Sequence, residues 1–151
     1  MGYDTIAEWY ETEFLAAQAG SDPVGAHAAL RELLGVGDGA VCLEVGCGTG
    51  TVARVLRPGG VFVHVGVHPC FCGGFADRTD PEAVVIRPGY LDGHFTFASW
   101  TDAGVRSKVG ASHWPLPGLL RMFTDAGLVA EEYHEGGGPS PVTFSVRLRK
   151  G

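Results

Sequence analysis

The sequence predicts an α/β fold: a mostly parallel sheet flanked by helices, with a C-terminal antiparallel strand pair. Three observations carry that expectation. Residues 40–67 read strand, glycine-rich turn, helix, strand, which is the order of a βαβ unit. Residues 117–126 repeat apolar side chains at helical spacing. Residues 129–148 then form two strand-like runs around Gly136-Gly137-Gly138-Pro139, most simply an antiparallel pair. With 151 residues, 45% of them hydrophobic, the chain makes one domain with one core.

The first predicted element is a helix. Thr5 and Glu8 are spaced as a capping box, and Ile6, Trp9, Tyr10 and Phe14 share a face before Gly20 ends it. Ser21-Asp22-Pro23 opens a second helix, whose stripe is Ala26, Leu30, Leu33 and Leu34 and whose C-terminal stop is Gly35. After the Gly37-Asp38-Gly39 turn, residues 40–45 read as a buried strand that runs into Gly46-Cys47-Gly48-Thr49-Gly50. Residues 51–56 read as a short helix, stopped by Arg57-Pro58-Gly59-Gly60. Residues 61–67 are nearly all apolar, as strands inside parallel sheets are. Residues 68–116 are irregular and aromatic, with short strands predicted at 83–86 and 94–98. The last helix ends at Gly127.

A net charge of −6 argues against nucleic acid or an anionic membrane as partner. No apolar run approaches the ~18 residues of a membrane span. Residues 1–7 lack the basic and apolar regions of a signal peptide, so a cytoplasmic protein is expected. Cys42, Cys47, Cys70 and Cys72 make no disulfide framework, and reduced thiols are expected.

Glu44-x-Gly46-x-Gly48-x-Gly50, placed between a strand and a helix, is the feature that points to chemistry. Glycines let the main chain turn sharply and approach a ligand. The helix that follows offers free N–H groups and a positive dipole end to a carboxylate or phosphate. A dinucleotide loop would need a third glycine where Thr51 stands. It would also need an acid at the end of the next strand, which here ends in His68-Pro69.

Residues 41–50 instead closely resemble the first motif of class I S-adenosylmethionine-dependent methyltransferases. Residues 56–60 resemble that family's step into strand five, 119–128 its last helix and 129–148 its closing strands. Tyr3-Asp4-x-x-Ala7-x-x-Tyr10 is similar to the N-terminal helix that covers the cofactor in small-molecule members. The resemblance implies a Rossmann-like methyltransferase fold. Its parts would be a helical cap (1–36), a βαβ core (40–67), a substrate-side lid (68–116) and the last helix with its strands (117–151). It implies S-adenosyl-L-methionine as cofactor, held by Tyr10, Glu44, Gly46, Cys47, Gly48, Thr49 and Gly50, and a small-molecule methyl acceptor.

The chain departs from the family in length. At ~30 residues per βαβ unit, roughly sixty to eighty residues should separate Gly50 from Arg57. Six do, and the acid that would hold the ribose is among the missing part. Two functional expectations follow: a small-molecule methyltransferase, or a methyltransferase-like remnant with weak or no cofactor binding. The deletion should also leave residues 41–45 as an apolar sheet edge, a template for a homodimer.

His68 follows a strand, where ligands of open α/β sheets bind, and reads equally as general base or loop residue. His113 precedes the last helix, as a substrate contact or a solvated histidine. His64, mid-strand, reads as a buried structural histidine. His64, His68, Cys70 and Cys72 have ligand-like chemistry, but a C-x-C clip suits tetrahedral zinc poorly, and no metal is expected.

Overall fold

The computed structural model describes residues 6–18, 25–35, 58–101 and 104–151. Helix α1 spans 7–18, with a π-helical turn at Tyr10–Phe14 inside it. Helix α2 is Ala26–Leu34 and strand β1 is Val61–Val67. Strands β2 (Ala76–Asp77), β3 (Val85–Ile86) and β4 (Phe95–Thr96) follow. Then come α3 (Val105–Val109), β5 (Ala111–Ser112) and α4 (Leu116–Asp125). Strands β6 (Leu128–Gly136) and β7 (Thr143–Lys150) close the chain.

The sheet is three-stranded, in the order β1-β7-β6. β1 pairs antiparallel with β7 from Val61↔Arg149 to Val67↔Thr143, and β6 pairs antiparallel with β7 along its other side. The C-terminal antiparallel pair is therefore present. The mostly parallel, Rossmann-like methyltransferase sheet is not: every strand pair among the described residues is antiparallel. The physical reason lies in what an apolar run records. It reports that both faces of a strand are covered and leaves its direction open. Here the covers are two helices. The other half of the predicted βαβ unit, residues 40–57, lies outside the described residues.

Helix α4 covers one face. Leu119 and Phe123 pack with Leu128, Phe144, Val146 and Leu148 as the core, and Phe62 meets Phe123 at 6.2 Å between ring centres. Helix α2 packs on β1 and β7, burying Ala29 and Leu33. Arg147 of β7 donates to the Leu33 carbonyl, and to that of Leu34 at 3.3 Å, capping the helix from the opposite face. Gly35 ends α2 at φ +72°, as the sequence predicts.

A β-bulge between Ala130 and Glu132 matters for the site. Before it, Leu128 and Ala130 face α4. After it the odd-numbered residues do, so Tyr133 stands opposite Val146 and Glu135 opposite Phe144. One extra residue thus moves Glu135 to the α4 face.

Between β1 and α4 the chain folds into two short ladders, β2–β3 and β4–β5. Arg78 ties this insert to the hairpin before β7, donating to the carbonyls of Phe71, Pro141 and Ser140 at 3.0–3.4 Å. In α1, the π turn stacks Tyr10 on Phe14 at 5.3 Å, and Lys108 Nζ lies 4.2 Å over the Trp9 ring. Among the described residues, no helix is long and apolar enough to cross a membrane.

Candidate functional site

His68 continues β1 past its end, its N–H donating to Val142 O at 2.7 Å. Alternation places its ring on the α4 face, two steps beyond His64. The ring is 2% exposed and lies 4.5 Å from Phe71 and 5.8 Å from Phe144 between centres. Its Nε2 sits 2.6 Å from Glu135 Oε1, and its Nδ1 accepts the Cys70 N–H at 3.1 Å. An amide only donates, so Nδ1 holds a lone pair and the proton sits on Nε2, assigned from these partners. The bulge in β6 brings Glu135 to this histidine. Its side chain remains 53% exposed.

The network runs on from Cys70. Its thiol lies 3.4 Å from the Tyr90 hydroxyl, which also accepts the Leu116 N–H at 3.0 Å. That amide is one of the orphan donors at the start of α4, so Tyr90 fixes the helix as well as the thiol. Burial raises the Tyr90 pKa, which keeps the hydroxyl protonated and able to donate to sulfur. His113 Nε2 donates to the Tyr90 carbonyl at 2.6 Å, and its ring packs 4.9 Å from Phe75. His68 and His113 are thus joined through Cys70 and Tyr90, although they lie far apart in sequence.

A cavity lies at each end of this network. Beyond Glu135, a pocket of about 290 Å³ opens between α4 and the sheet, walled by Leu116, Leu120, Tyr133 and Phe144. Beside His113, a cavity of about 150 Å³ lies inside the insert, with Phe75, Pro88 and Arg106 on its walls.

The structure brings together two of the residues singled out in the sequence, His68 and His113. Both are buried, and both nitrogens of His68 have protein partners. Tyr10 stacks within α1. Glu44, Gly46, Cys47, Gly48, Thr49 and Gly50 lie outside the described residues. His64 is buried against Phe123 at 5.5 Å between rings, and burial lowers its pKa to about 4. Cys72 is also buried, its Sγ 3.5 Å from Val142 O and its pKa pushed up by desolvation. Among the described residues, no three His, Cys, Asp or Glu side chains converge as metal ligands.

Sequence reasoning missed Glu135, Tyr90 and Arg106. Strict alternation from Leu128 puts Glu135 on the wrong face, and nothing in residues 128–136 announces a bulge. Arg106 sits in a five-residue helix that has no strong periodic signal.

No protein-family model, no curated protein and no solved structure matches the chain.

Proposed function

We propose that the chain binds S-adenosyl-L-methionine and transfers its methyl group to a small molecule in a reducing cytoplasm. The observation that carries this reading is Glu44-x-Gly46-x-Gly48-x-Gly50, followed in sequence by the family-like stretches at 56–60 and 119–128. The cofactor's size and charge can be set against the described residues. The 290 Å³ pocket stands at the lower edge of small-molecule pockets, ~300–1,000 Å³, and takes part of such a ligand rather than all of it. Its donor set suits the charge, since Tyr133, Phe144 and the Glu135 carboxylate attract a cationic group. The remaining hold falls to residues 44–50, with Tyr10 as cover.

The cofactor supplies an already activated methyl group, so the protein's task is alignment. Where the acceptor must shed a proton, the reachable base is the Glu135 carboxylate. His68 holds its own proton at Nε2 against that carboxylate, and its Nδ1 is taken by the Cys70 amide. His68 is in this reading a positioning residue: it fixes Glu135 in the pocket wall. The partner is a small molecule, with neither nucleic acid nor membrane involved, and two copies form a homodimer. A monomer of 15.9 kDa by light scattering would remove the pairing.

A second reading, a chain that holds the cofactor weakly and transfers nothing, draws on the six-residue spacing between Gly50 and Arg57. A lost charge-assisted hydrogen bond costs ~1.5–3 kcal/mol, or about 10- to 150-fold in affinity. Titration calorimetry with S-adenosyl-L-methionine tests the proposal. Binding weaker than ~1 μM that falls more than tenfold in Gly48→Val is expected. No binding, or equal binding by the variant, would overturn it.

A further inference from the structure

We propose that the cavity of about 150 Å³ in the insert binds a small planar carboxylate, with the Arg106 guanidinium as its anchor. Arg106 Nη1 is buried and, among the described residues, has no hydrogen-bond partner. Its guanidinium stacks near the Trp100 ring at 5.8 Å, and among the described residues no carboxylate pairs with it. Guanidinium does not neutralise itself by losing a proton, so a buried, unpaired donor is costly unless something fills it. Among the described residues, the walls contain no Asp or Glu. In a chain of net charge −6, this cavity has Arg106 as its fixed charge, and that charge is positive.

The other walls define the ligand's shape. Phe75, Pro88 and the ring of His113 give flat apolar surface. The cavity has the volume that accommodates one benzene-sized ring, ~150 Å³. Also on the walls, Thr96 Oγ1 accepts the Ala98 N–H at 3.0 Å, which leaves the hydroxyl's own hydrogen for an incoming acceptor. A planar fork of N–H donors beside a flat apolar slot matches a carboxylate on a small ring. The site stands independently of methyl transfer, and it is tested without the methyl donor.

Benzoate is the probe, titrated into the full chain with binding read by NMR shifts of residues 73–113. Benzamide has the same shape without the charge, and inorganic phosphate is the non-planar anion. Benzoate should bind at millimolar concentration or below, with both competitors more than about tenfold weaker, as loss of a charge-assisted contact implies. Arg106→Gln should lose benzoate by the same factor. If that variant fails to fold, the benzoate–benzamide comparison on the natural chain decides alone. Equal binding of benzoate and benzamide, preference for phosphate, or no benzoate binding would each overturn the proposal.

Discussion

The β1-β7-β6 sheet and the insert at 68–116 meet at His68 but are held by different physics. The sheet is long, continuous and covered on both faces, and its cohesion comes from burying side chains such as Phe123, Phe144, Val146 and Leu148. Each such burial is worth about 1.5–3 kcal/mol. The insert has two-residue ladders and buries only scattered apolar side chains such as Phe75, Ala76 and Val109. Its shape comes from side chains hooked onto backbone: Arg78 on three carbonyls, Tyr90 on the Leu116 amide, His113 on the Tyr90 carbonyl. Apolar burial spreads its energy over many contacts. Hooks concentrate it in a few atoms, so the two regions should fail differently.

The largest expected difference is between Phe123→Ala and Phe75→Ala. Phe123→Ala should cost about 3–5 kcal/mol and speed hydrogen exchange throughout the sheet. Phe75→Ala should accelerate exchange in 68–116 while β6 and β7 keep their protection. Equal loss in both regions would erase the distinction.

Next comes pH. Burial of His64 under α4 lowers its pKa from 6.5 to about 4. Below pH 6.5 the unfolded chain takes up a proton that the folded chain refuses, so stability is full above 6.5 and falls towards 4. The loss should reach about 3 kcal/mol in urea titrations, and His64→Leu should flatten it. Arg78→Met should follow, at about 1.5–3 kcal/mol, with exchange rising at residues 71 and 140–142. The smallest effect belongs to Asp77 on the insert's surface. A hydrogen bond from Arg87, with help from Thr79, holds its carboxyl at about 2, against 3.8 unfolded. Its contribution is therefore full above about pH 4 and lost as pH falls to 2. The melting temperature of Asp77→Asn should differ slightly from the natural chain at pH 5 and converge with it at pH 2.

The same contrast explains what the sequence revealed. Helix α2 with its Gly35 stop, the apolar run of β1, helix α4 and the β6–β7 pair all announce themselves through periodicity. Strand direction did not, because burial on two faces looks alike in parallel and antiparallel sheets. In the insert, Val85–Ile86 and Phe95–Thr96 fall inside the predicted strands 83–86 and 94–98, yet their partners Ala76–Asp77 and Ala111–Ser112 carry no pattern. The site divides similarly. His68 and His113 stood out as residue types in suggestive places, whereas Glu135 reaches His68 only through a bulge. Tyr90 and Arg106 matter through contacts that spacing does not encode.

Sheet and insert are joined through Glu135–His68–Cys70, with the His68 proton committed to the carboxylate. Long-range nitrogen–proton NMR on imidazole-labelled protein reads this directly. His68 should be the Nε2–H tautomer with an unprotonated Nδ1, and should stay so in Glu135→Ala because the Cys70 amide still needs Nδ1 as acceptor, while the Nε2 resonance shifts as its bond to the carboxylate is lost. An Nδ1–H tautomer in the natural chain, or an Nε2 resonance unmoved by Glu135→Ala, would contradict this arrangement.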